Sequence, residues 1–310
     1  MPTMNSSIPR LEEDGKVLIE PVIQILALSD TPLRSSSPEG FLNFYQAFIR
    51  LAGNRARWCR TNTQSRYTAF DERKREMAPF WFLDERSRQE TLLGLRVHCG
   101  PAPRELRAPA SAFFCDQTSP DGAHNYFNLM IPCDELTPAE LLSVIQDCLR
   151  AFPLSWGYAG YGLLWNDLVG GFDRDHAGVF AGLLRRYPGI AHPNSSKVGL
   201  WASEGLVEVN WVTLLGNKLL EKAGGEKAVR NMLGPEIDVL TLDTGNGIAV
   251  VAGDHPETGD ITTGNDLPLY RSVGRALRAL RPEELNKTKF LPVPGLDKVQ
   301  GEQWLNRFFQ

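Results

Sequence analysis

The sequence has few of the residues that build metal centres, disulfide frameworks and hydrolytic sites. Its 310 residues include five cysteines and five histidines. No two cysteines form a C-x-x-C pair, and cysteine and histidine do not recur at zinc-finger spacing. The cysteines are Cys59, Cys99, Cys115, Cys133 and Cys148. We therefore expect reduced, buried thiols, no bound metal and no cofactor.

Long hydrophobic runs are also absent. The first apolar stretch, residues 17–28, is interrupted by Glu20 and Pro21 and is preceded by an acidic segment at residues 12–14. A secretory signal needs a positively charged start and an unbroken apolar core, and a membrane span needs about 20 apolar residues. The stretch is instead typical of a buried strand. We expect a protein of the cytoplasm that does not contact a membrane.

An excess of positive charge is missing as well. The chain has 33 Lys and Arg against 37 Asp and Glu, a net charge of −4, which argues against a general binder of the nucleic-acid backbone. Residues 50–107 are the exception, with 13 Lys and Arg against 7 Asp and Glu. Acidic residues interrupt this arginine-rich segment, often at i,i+4 spacing, which is typical of solvated helix faces. Nucleic-acid binding by this segment stays an alternative.

Helix patterns are clear in two places. Aromatic residues recur at i, i+3, i+4 and i+7 within residues 41–51 and predict an amphipathic helix that ends near Gly53. Thr137, Pro138 and Glu140 together predict the start of a second helix, with Thr137 as its N-cap and Glu140 completing a capping box.

Strand patterns alternate with these helices. Residues 206–211 have the pattern of a strand, residues 212–222 that of a helix, and residues 237–252 that of a β-hairpin. Because the elements are mixed without a regular βαβ rhythm, the predicted fold is α+β, with mixed or antiparallel sheets and packed helices. The order strand, helix, strand around residues 126–165 recurs around residues 206–252 and suggests two similar halves.

The domain prediction follows from that order. Residues 1–15 are predicted to be disordered, residues 16–152 to form an N-terminal α+β half, and residues 153–310 to form a C-terminal α+β half. One continuous domain is the alternative, since the length allows either arrangement.

Motifs of established catalytic sites are not found. The sequence lacks G-x-x-x-x-G-K-[ST], G-x-S-x-G and H-E-x-x-H. Glycines within residues 157–162 suit close backbone packing better than phosphate binding. His255, together with Asp254 or Asp260, is the cluster around which a hydrolase site could be built, and such a hydrolase is the alternative function. The Pro, Gly and Asp content around it indicates a solvent-exposed turn.

A cluster of aromatic and acidic residues suggests protein binding. Trp156, Tyr158 and Trp165 lie within ten residues and are followed by Asp167 and Asp173. Large aromatics beside carboxylates are typical of binding hot spots, especially for a basic partner. The competing interpretation is that the aromatic side chains fill the core.

Several segments together resemble a known family. They are Tyr187-Pro188-Gly189, the run N-W-V-T-L-L-G at residues 210–216 with its continuation to Gly224-Gly225, the hairpin, Ala252-Gly253 with Pro256 and Gly259-Asp260, and the run L-P-L-Y-R at residues 267–271. A looser likeness extends to residues 126–149 and 155–162, so it covers most of the chain. On these residues the chain resembles the type VI secretion immunity family, first described as a domain of unknown function.

This resemblance implies a cognate antidote, which binds a toxin that the type VI machinery injects into neighbouring bacteria. The family supplies no catalytic residues, so the chain is expected not to be an enzyme. Because we expect no secretory signal, the antidote should act in the cytoplasm, which favours a nuclease as its toxin. Stoichiometric occlusion of the toxin's active site and occlusion of a surface needed for its assembly both stay open.

The expected interface combines acidic and aromatic side chains. Residues 108–310 have 17 Lys and Arg against 24 Asp and Glu, and such a surplus of carboxylates attracts a basic nuclease surface. The candidate interface residues are Trp156, Tyr158, Trp165, Asp167, Asp173, Asp254, Glu257, Asp260 and Asp266. No direct contact with nucleic acid is expected.

Overall fold

The computed structural model describes residue 4 and residues 6–31, 38–83, 92–116, 124–165, 171–242, 245–282 and 291–310. The strands are β1 (Leu11–Glu13), β2 (Lys16–Ser29), β3 (Trp58–Thr61), β4 (Thr68–Ala69), β5 (Leu92–His98), β6 (Ala110–Asp116), β7 (His124–Pro132), β8 (Trp156–Trp165), β9 (Val212–Gly216), β10 (Ile237–Thr241) and β11 (Gly247–Ala252). The helices are α1 (Pro38–Ala52), α2 (Glu72–Leu83), α3 (Pro138–Leu149), α4 (Phe172–Asp175), α5 (Ala177–Arg186), α6 (Ser195–Gly199), α7 (Asn217–Lys222), α8 (Glu226–Met232), α9 (Pro268–Ala276) and α10 (Lys298–Leu305).

All of these strands belong to one sheet, in the order β10-β11-β9-β8-β2-β7-β6-β5-β3-β4, and β1 pairs with β2 beside it. Every pair is antiparallel. The predicted α+β fold class is therefore confirmed. The central strand, β2, pairs with β7 on one side and with β8 on the other, so the sheet continues across residue 152. The division into two similar halves stays a prediction.

The central strand of the sheet, β2, is deeply buried. From Val22 to Ser29 every residue of β2 is buried, which is the pattern of a strand covered on both faces. The hydrophobic stretch predicted as a strand is thus the middle of the sheet. Ahead of it, β1 pairs with the first part of β2, and the side chains of Met4 and Ile8 are buried. Part of the segment predicted to be disordered therefore packs on the core.

Helix α1 covers one face of the sheet beside β6 and β7, and α3 packs against α1. The ring of Phe41 meets that of Phe113 edge-on at a centroid distance of 3.7 Å, and Phe44 stacks on Phe127 at 4.4 Å. The predicted amphipathic helix is confirmed, and it ends where Gly53 takes a positive φ of 53°. The capping box of α3 is confirmed as well, because the backbone N–H of Glu140 donates to Thr137 Oγ1 and that of Thr137 donates to Glu140 Oε2.

The hairpin was predicted correctly, but the segment before it was not. Strands β10 and β11 pair in register from Ile237 opposite Ala252. The predicted strand at residues 206–211 is wrong, and the predicted helix at residues 212–222 is correct only over α7. Strand β9 lies between them and pairs with β8 and β11.

Side chains cause this displacement of the strand. The backbone N–H of Trp211 donates to Asn210 Oδ1 at 2.8 Å, and that of Asn210 donates to Thr213 Oγ1 at 3.4 Å. These local bonds replace a strand ladder before residue 212. Gly160 makes room for them, because a Cβ atom at that position would overlap with Asn210 Oδ1. The predicted role of the glycines in β8, close packing, is confirmed at this position.

Candidate interaction surface

The three aromatic interface candidates lie in the core. Trp156 and Tyr158 are fully buried and Trp165 is 9% exposed. The indole N–H of Trp156 donates to the Trp201 carbonyl at 3.2 Å, and that of Trp165 donates to the Pro193 carbonyl at 3.0 Å. Burial also raises the pKa of Tyr158 well above its usual value. A partner cannot reach these side chains while the sheet is intact, so the interpretation as core residues fits the structure.

Two acidic candidates lie where the structure gives no side-chain position. Asp167 is outside the described residues. Asp173 belongs to α4, but its side chain is also outside the described part of the chain.

The remaining four acidic candidates share one loop, residues 253–267 between β11 and α9, which we call the acidic loop. Asp254 is exposed. The Asp266 side chain is 64% exposed and lies 3.5 Å from the Arg271 guanidinium. Glu257 is half-buried and accepts a hydrogen bond from the Asn265 side-chain amide at 2.9 Å. The structure therefore brings this group of candidates together on one surface segment.

Asp260 has a structural role within the acidic loop. Its carboxylate accepts hydrogen bonds from the Arg186 guanidinium, the nearest at 2.8 Å, and from the Thr262 backbone N–H at 2.9 Å. The hydrogen bonds from Arg186 and Thr262 hold the pKa of Asp260 well below its usual range. Asp260 thus caps the 3₁₀ turn Ile261–Thr263 and ties the loop to the end of α5.

Further hydrogen bonds anchor the acidic loop to the body of the protein. The indole N–H of Trp211 donates to the Gly253 carbonyl at 2.9 Å. The backbone N–H of Glu257 donates to the Tyr270 hydroxyl at 3.0 Å. The backbone N–H of Gly189 donates to the Thr258 carbonyl at 2.7 Å. Bonds at its start and in its middle anchor the backbone of the acidic loop, which lowers the entropic cost of binding a partner.

A buried ion pair anchors the segment around Gly189. The Arg307 guanidinium donates to Glu208 Oε1 at 2.8 Å and to the carbonyls of Pro188 and Ile190 at 2.7 and 3.0 Å. Both Glu208 oxygens accept the backbone N–H of His192 at 3.1 Å. Burial raises the pKa of Glu208, and Arg307 opposes that shift. Sequence patterns gave no sign of this network, because its members are far apart in the chain.

Two buried histidines predict a pH dependence of stability. Burial lowers the pKa of His98 and of His192 to about 4, from about 6.5 in the unfolded chain. Since the unfolded state binds the additional proton, the stability is fully present above pH 6.5 and is lost as the pH falls towards 4. As the pH falls from 7 to 5, protonation of each histidine in the unfolded state should lower the free energy of unfolding by about 2 kcal/mol.

Urea denaturation at the two pH values measures this loss. A His192→Gln variant should lose about 2 kcal/mol less than the wild type over that pH range. His255→Gln is the matched control, because His255 is exposed, and it should lose as much as the wild type. An equal loss in all three proteins would contradict a neutral, buried His192.

The residues of the alternative hydrolase site are not arranged as a catalytic pair. His255 and Asp254 are both exposed, and Asp260 is bound to Arg186. Among the described residues, no hydrogen bond joins His255 to Asp254 or Asp260, so no carboxylate orients the imidazole as in a triad-type site. The described part of the chain contains no group of three potential metal ligands. Within it, no helix is both long and apolar enough to cross a membrane.

The arginine-rich segment differs from its prediction as solvated helix faces. Helix α2 accounts for residues 72–83, but Arg60 lies on β3 and Arg96 on β5. These two strands are adjacent, and the two arginines face each other across them. Cross-strand pairing depends on register, which the charge pattern of a sequence does not contain.

Comparisons with known proteins place these observations in a family. The model of the TsiV family, described as type VI immunity for VRR-NUC, matches residues 45–308. The fold is similar to that of the Pseudomonas aeruginosa T6SS protein PA0821, with a TM-score of 0.77 and 19% sequence identity. That match covers 96% of this chain and 87% of the other. No curated protein matches the sequence. Because the family model spans most of its length, the chain belongs to the TsiV family of type VI immunity proteins.

Proposed function

We propose that this protein neutralises a VRR-NUC nuclease toxin in the cytoplasm by binding it stoichiometrically, without catalysis, and that the acidic loop contacts the toxin. The observation that carries this proposal is the placement of Asp254, Glu257 and Asp266 on one anchored surface loop. The family description supplies the kind of partner. The exposed carboxylates of the acidic loop support the choice of this surface.

Electrostatics supports a nuclease as the partner of the acidic loop. A nuclease binds the phosphate backbone with basic side chains, and these groups attract carboxylates as they attract phosphates. An anchored loop that carries several carboxylates can therefore occupy the groove in which the toxin binds nucleic acid. This arrangement favours occlusion of the active site over occlusion of an assembly surface. The substrate of a nuclease is in the cytoplasm, so its antidote is needed there.

Charge reversal in the acidic loop should weaken the complex. We expect Asp254→Lys combined with Asp266→Lys to raise the Kd for the toxin at least about tenfold, because two attractive contacts become repulsive. The increase should be larger at low salt, since exposed charges are screened by ions. Isothermal titration calorimetry at two salt concentrations measures both effects. The toxin for this experiment is the protein that remains bound to the tagged chain in high salt.

The matched control reverses the charge of two acidic residues outside the acidic loop. Glu72 and Glu76 are exposed on α2, which follows β4 at the opposite end of the sheet from β11 and the acidic loop. Glu72→Lys combined with Glu76→Lys changes the net charge by the same amount and should leave the Kd within about twofold. An equal loss of affinity in both double variants would show that only net charge matters. Unchanged affinity in the loop variant would remove the acidic loop from the interface.

A further inference from the structure

The sheet ends in two edge strands of different length. At one end β4 has two residues, Thr68–Ala69, and at the other end β10 has five, Ile237–Thr241. A very short edge strand offers little backbone to another chain, whereas a longer one presents a row of N–H and C=O groups with which a second strand can pair. Strand β10 runs along β11 in continuous register, without a bulge. The edge formed by β10 is therefore the one that another strand can extend.

Hydrogen bonds at the end of the hairpin show which backbone groups of β10 point outward. The Leu242 N–H donates to the Gly247 carbonyl at 3.0 Å, so this pair is hydrogen-bonded. In an antiparallel ladder, hydrogen-bonded pairs alternate with pairs whose N–H and C=O groups point away from the neighbouring strand. Alternate residues of β10 therefore bond to β11. The backbone groups of the other three point to the open edge, and these residues are Ile237, Val239 and Thr241.

Four of the six outward backbone groups have no protein partner within the described part of the chain. The Ile237 N–H donates to the Gly234 carbonyl at 3.1 Å, and the Thr241 carbonyl accepts the side-chain amide of Gln146 at 3.4 Å. Within the same described residues, no hydrogen bond satisfies the Ile237 carbonyl, the Val239 N–H and carbonyl, or the Thr241 N–H. Strand β10 thus has donors and acceptors available for intermolecular pairing.

The side chains of β10 do little to prevent such pairing. Edge strands are commonly protected by lysine, by proline or by a bulge, and β10 has none of these. Its one charged residue is Asp238, which is exposed. Ile237 and Val239 are buried, and Leu240 is half-buried. A partner strand therefore meets a largely apolar edge that carries a single carboxylate.

A two-fold axis through Val239 pairs the free backbone groups of two copies with each other. In this register Val239 lies opposite Val239 of the second copy, and Ile237 lies opposite Thr241 of the second copy. The two Val239 residues exchange a pair of hydrogen bonds, and each Thr241 N–H donates to an Ile237 carbonyl. The two groups that already have partners, the Ile237 N–H and the Thr241 carbonyl, face each other. All the free groups of both copies are therefore used.

Charge separates this register from its neighbours. With the axis at Val239, Asp238 lies opposite Leu240 of the second copy. A shift of two residues in one direction places Asp238 opposite Asp238 of the second copy, and like charges directly opposite each other destabilise a sheet. The opposite shift moves Ile237 beyond the end of the partner strand and so loses hydrogen bonds. The register centred on Val239 is therefore the one that the edge favours.

We propose that β10 pairs with β10 of a second copy of this chain, which joins the two sheets into one across a symmetric dimer. Two-fold dimers are the commonest oligomers, and their interface pairs a surface with itself, as the register centred on Val239 does. The inference is independent of the proposed function, because it involves no toxin. Five residues a side make a small interface, so we expect a weak dimer that forms at micromolar concentrations or above.

Sedimentation equilibrium of the purified chain tests for the dimer. Between about 5 and 500 µM, the weight-average mass should rise from that of one chain towards that of two. A mass of one chain at every concentration would overturn the proposal.

Replacement of Leu240 provides a matched pair of variants, because residue 240 lies opposite Asp238 of the second copy. Leu240→Glu places like charges opposite each other twice in the dimer, whereas Leu240→Lys places opposite charges there. We expect the Kd of the Leu240→Glu dimer to exceed that of the Leu240→Lys dimer at least about tenfold, with a smaller ratio at high salt. Both variants remove the same leucine, so the ratio reports charge across the interface. Thermal unfolding checks that both are folded.

A cysteine cross-link tests the register. Asp238→Cys combined with Leu240→Cys places thiols opposite each other in non-hydrogen-bonded pairs, in which the Cα atoms are about 4.5 Å apart. Mild oxidation should convert this variant into a covalent dimer on a non-reducing gel. Asp238→Cys alone is the control, because the nearest introduced thiol of the second copy lies on the diagonal, at roughly 7–8 Å between Cα atoms, which exceeds the usual span of a disulfide.

Two further results would also overturn the inference. If Leu240→Glu and Leu240→Lys weaken a dimer equally and the double-cysteine variant does not cross-link, the dimer uses another surface. If the chain stays monomeric and the Val239 amide is protected from hydrogen exchange only when the captured toxin is added, the edge binds the toxin and not a second copy.

Discussion

Replacing Arg307 with methionine is expected to lower the free energy of unfolding by about 3–5 kcal/mol, because it leaves the buried carboxylate of Glu208 without its partner. The Glu208 side chain is 1% exposed and that of Arg307 is 9% exposed. Methionine fills much of the space but donates no hydrogen bond, so the carbonyls of Pro188 and Ile190 also lose their donor. Thermal and urea denaturation measure the change.

Arg307→Met should also weaken binding of the toxin. Arg307 holds the carbonyls on either side of Gly189, and the N–H of Gly189 donates to Thr258 in the acidic loop. A loosened loop presents its carboxylates less rigidly, which weakens binding. Arg185→Met is the matched control, since Arg185 is an exposed arginine that also contacts the C-terminal helix, through Gln300. It should change stability by less than about 1 kcal/mol. If Arg307→Met changed the free energy of unfolding by a similarly small amount, the Glu208–Arg307 ion pair would not stabilise the fold as described.

Trp156→Ala is expected to lower the free energy of unfolding by about 3–5 kcal/mol, because it removes a large side chain from a fully packed site. Trp156 is fully buried, and its loss also leaves the Trp201 carbonyl without the indole donor. Urea denaturation measures the difference. Phe80→Ala is the matched control, since Phe80 is an aromatic residue that is 59% exposed, and it should change stability by no more than about 0.5 kcal/mol.

The affinity of a milder variant separates a core role from an interface role. Trp156→Phe keeps most of the packed volume and should remain folded. If Trp156 is a core residue, this variant should bind the toxin with a Kd within about twofold of the wild type. A loss of affinity by tenfold or more in the folded Trp156→Phe protein would return Trp156 to the interface.

Local patterns predicted the elements that local interactions determine. The capping box at Thr137 and Glu140 and the hairpin at residues 237–252 depend on residues close in sequence, and both were predicted correctly. Strand β9 was displaced because Asn210 and Thr213 bind the backbone before it, in a space that Gly160 leaves open from another strand. The sequence contains no sign of that distant contact.

In the candidate site, too, sequence patterns predicted the local features and missed those that depend on distant contacts. The aromatic cluster has a composition that suits an interface as well as a core, and only the sheet order shows that Trp156 and Tyr158 lie inside it. The acidic residues of the loop could be located from turn chemistry. By contrast, the Arg60 and Arg96 pair and the Glu208 and Arg307 pair depend on register and on contacts across the fold. Neither pair could be found from spacing.

The most direct test of the central claim is a titration of the captured toxin's nuclease activity with the purified chain. The toxin is held at a concentration well above the Kd, and residual cleavage of a DNA substrate is measured at each molar ratio. Stoichiometric neutralisation predicts a linear loss of activity that ends at one equivalent of the chain, with the intact toxin recovered in the complex. Complete inhibition far below one equivalent, or undiminished cleavage with the chain in excess, would contradict it.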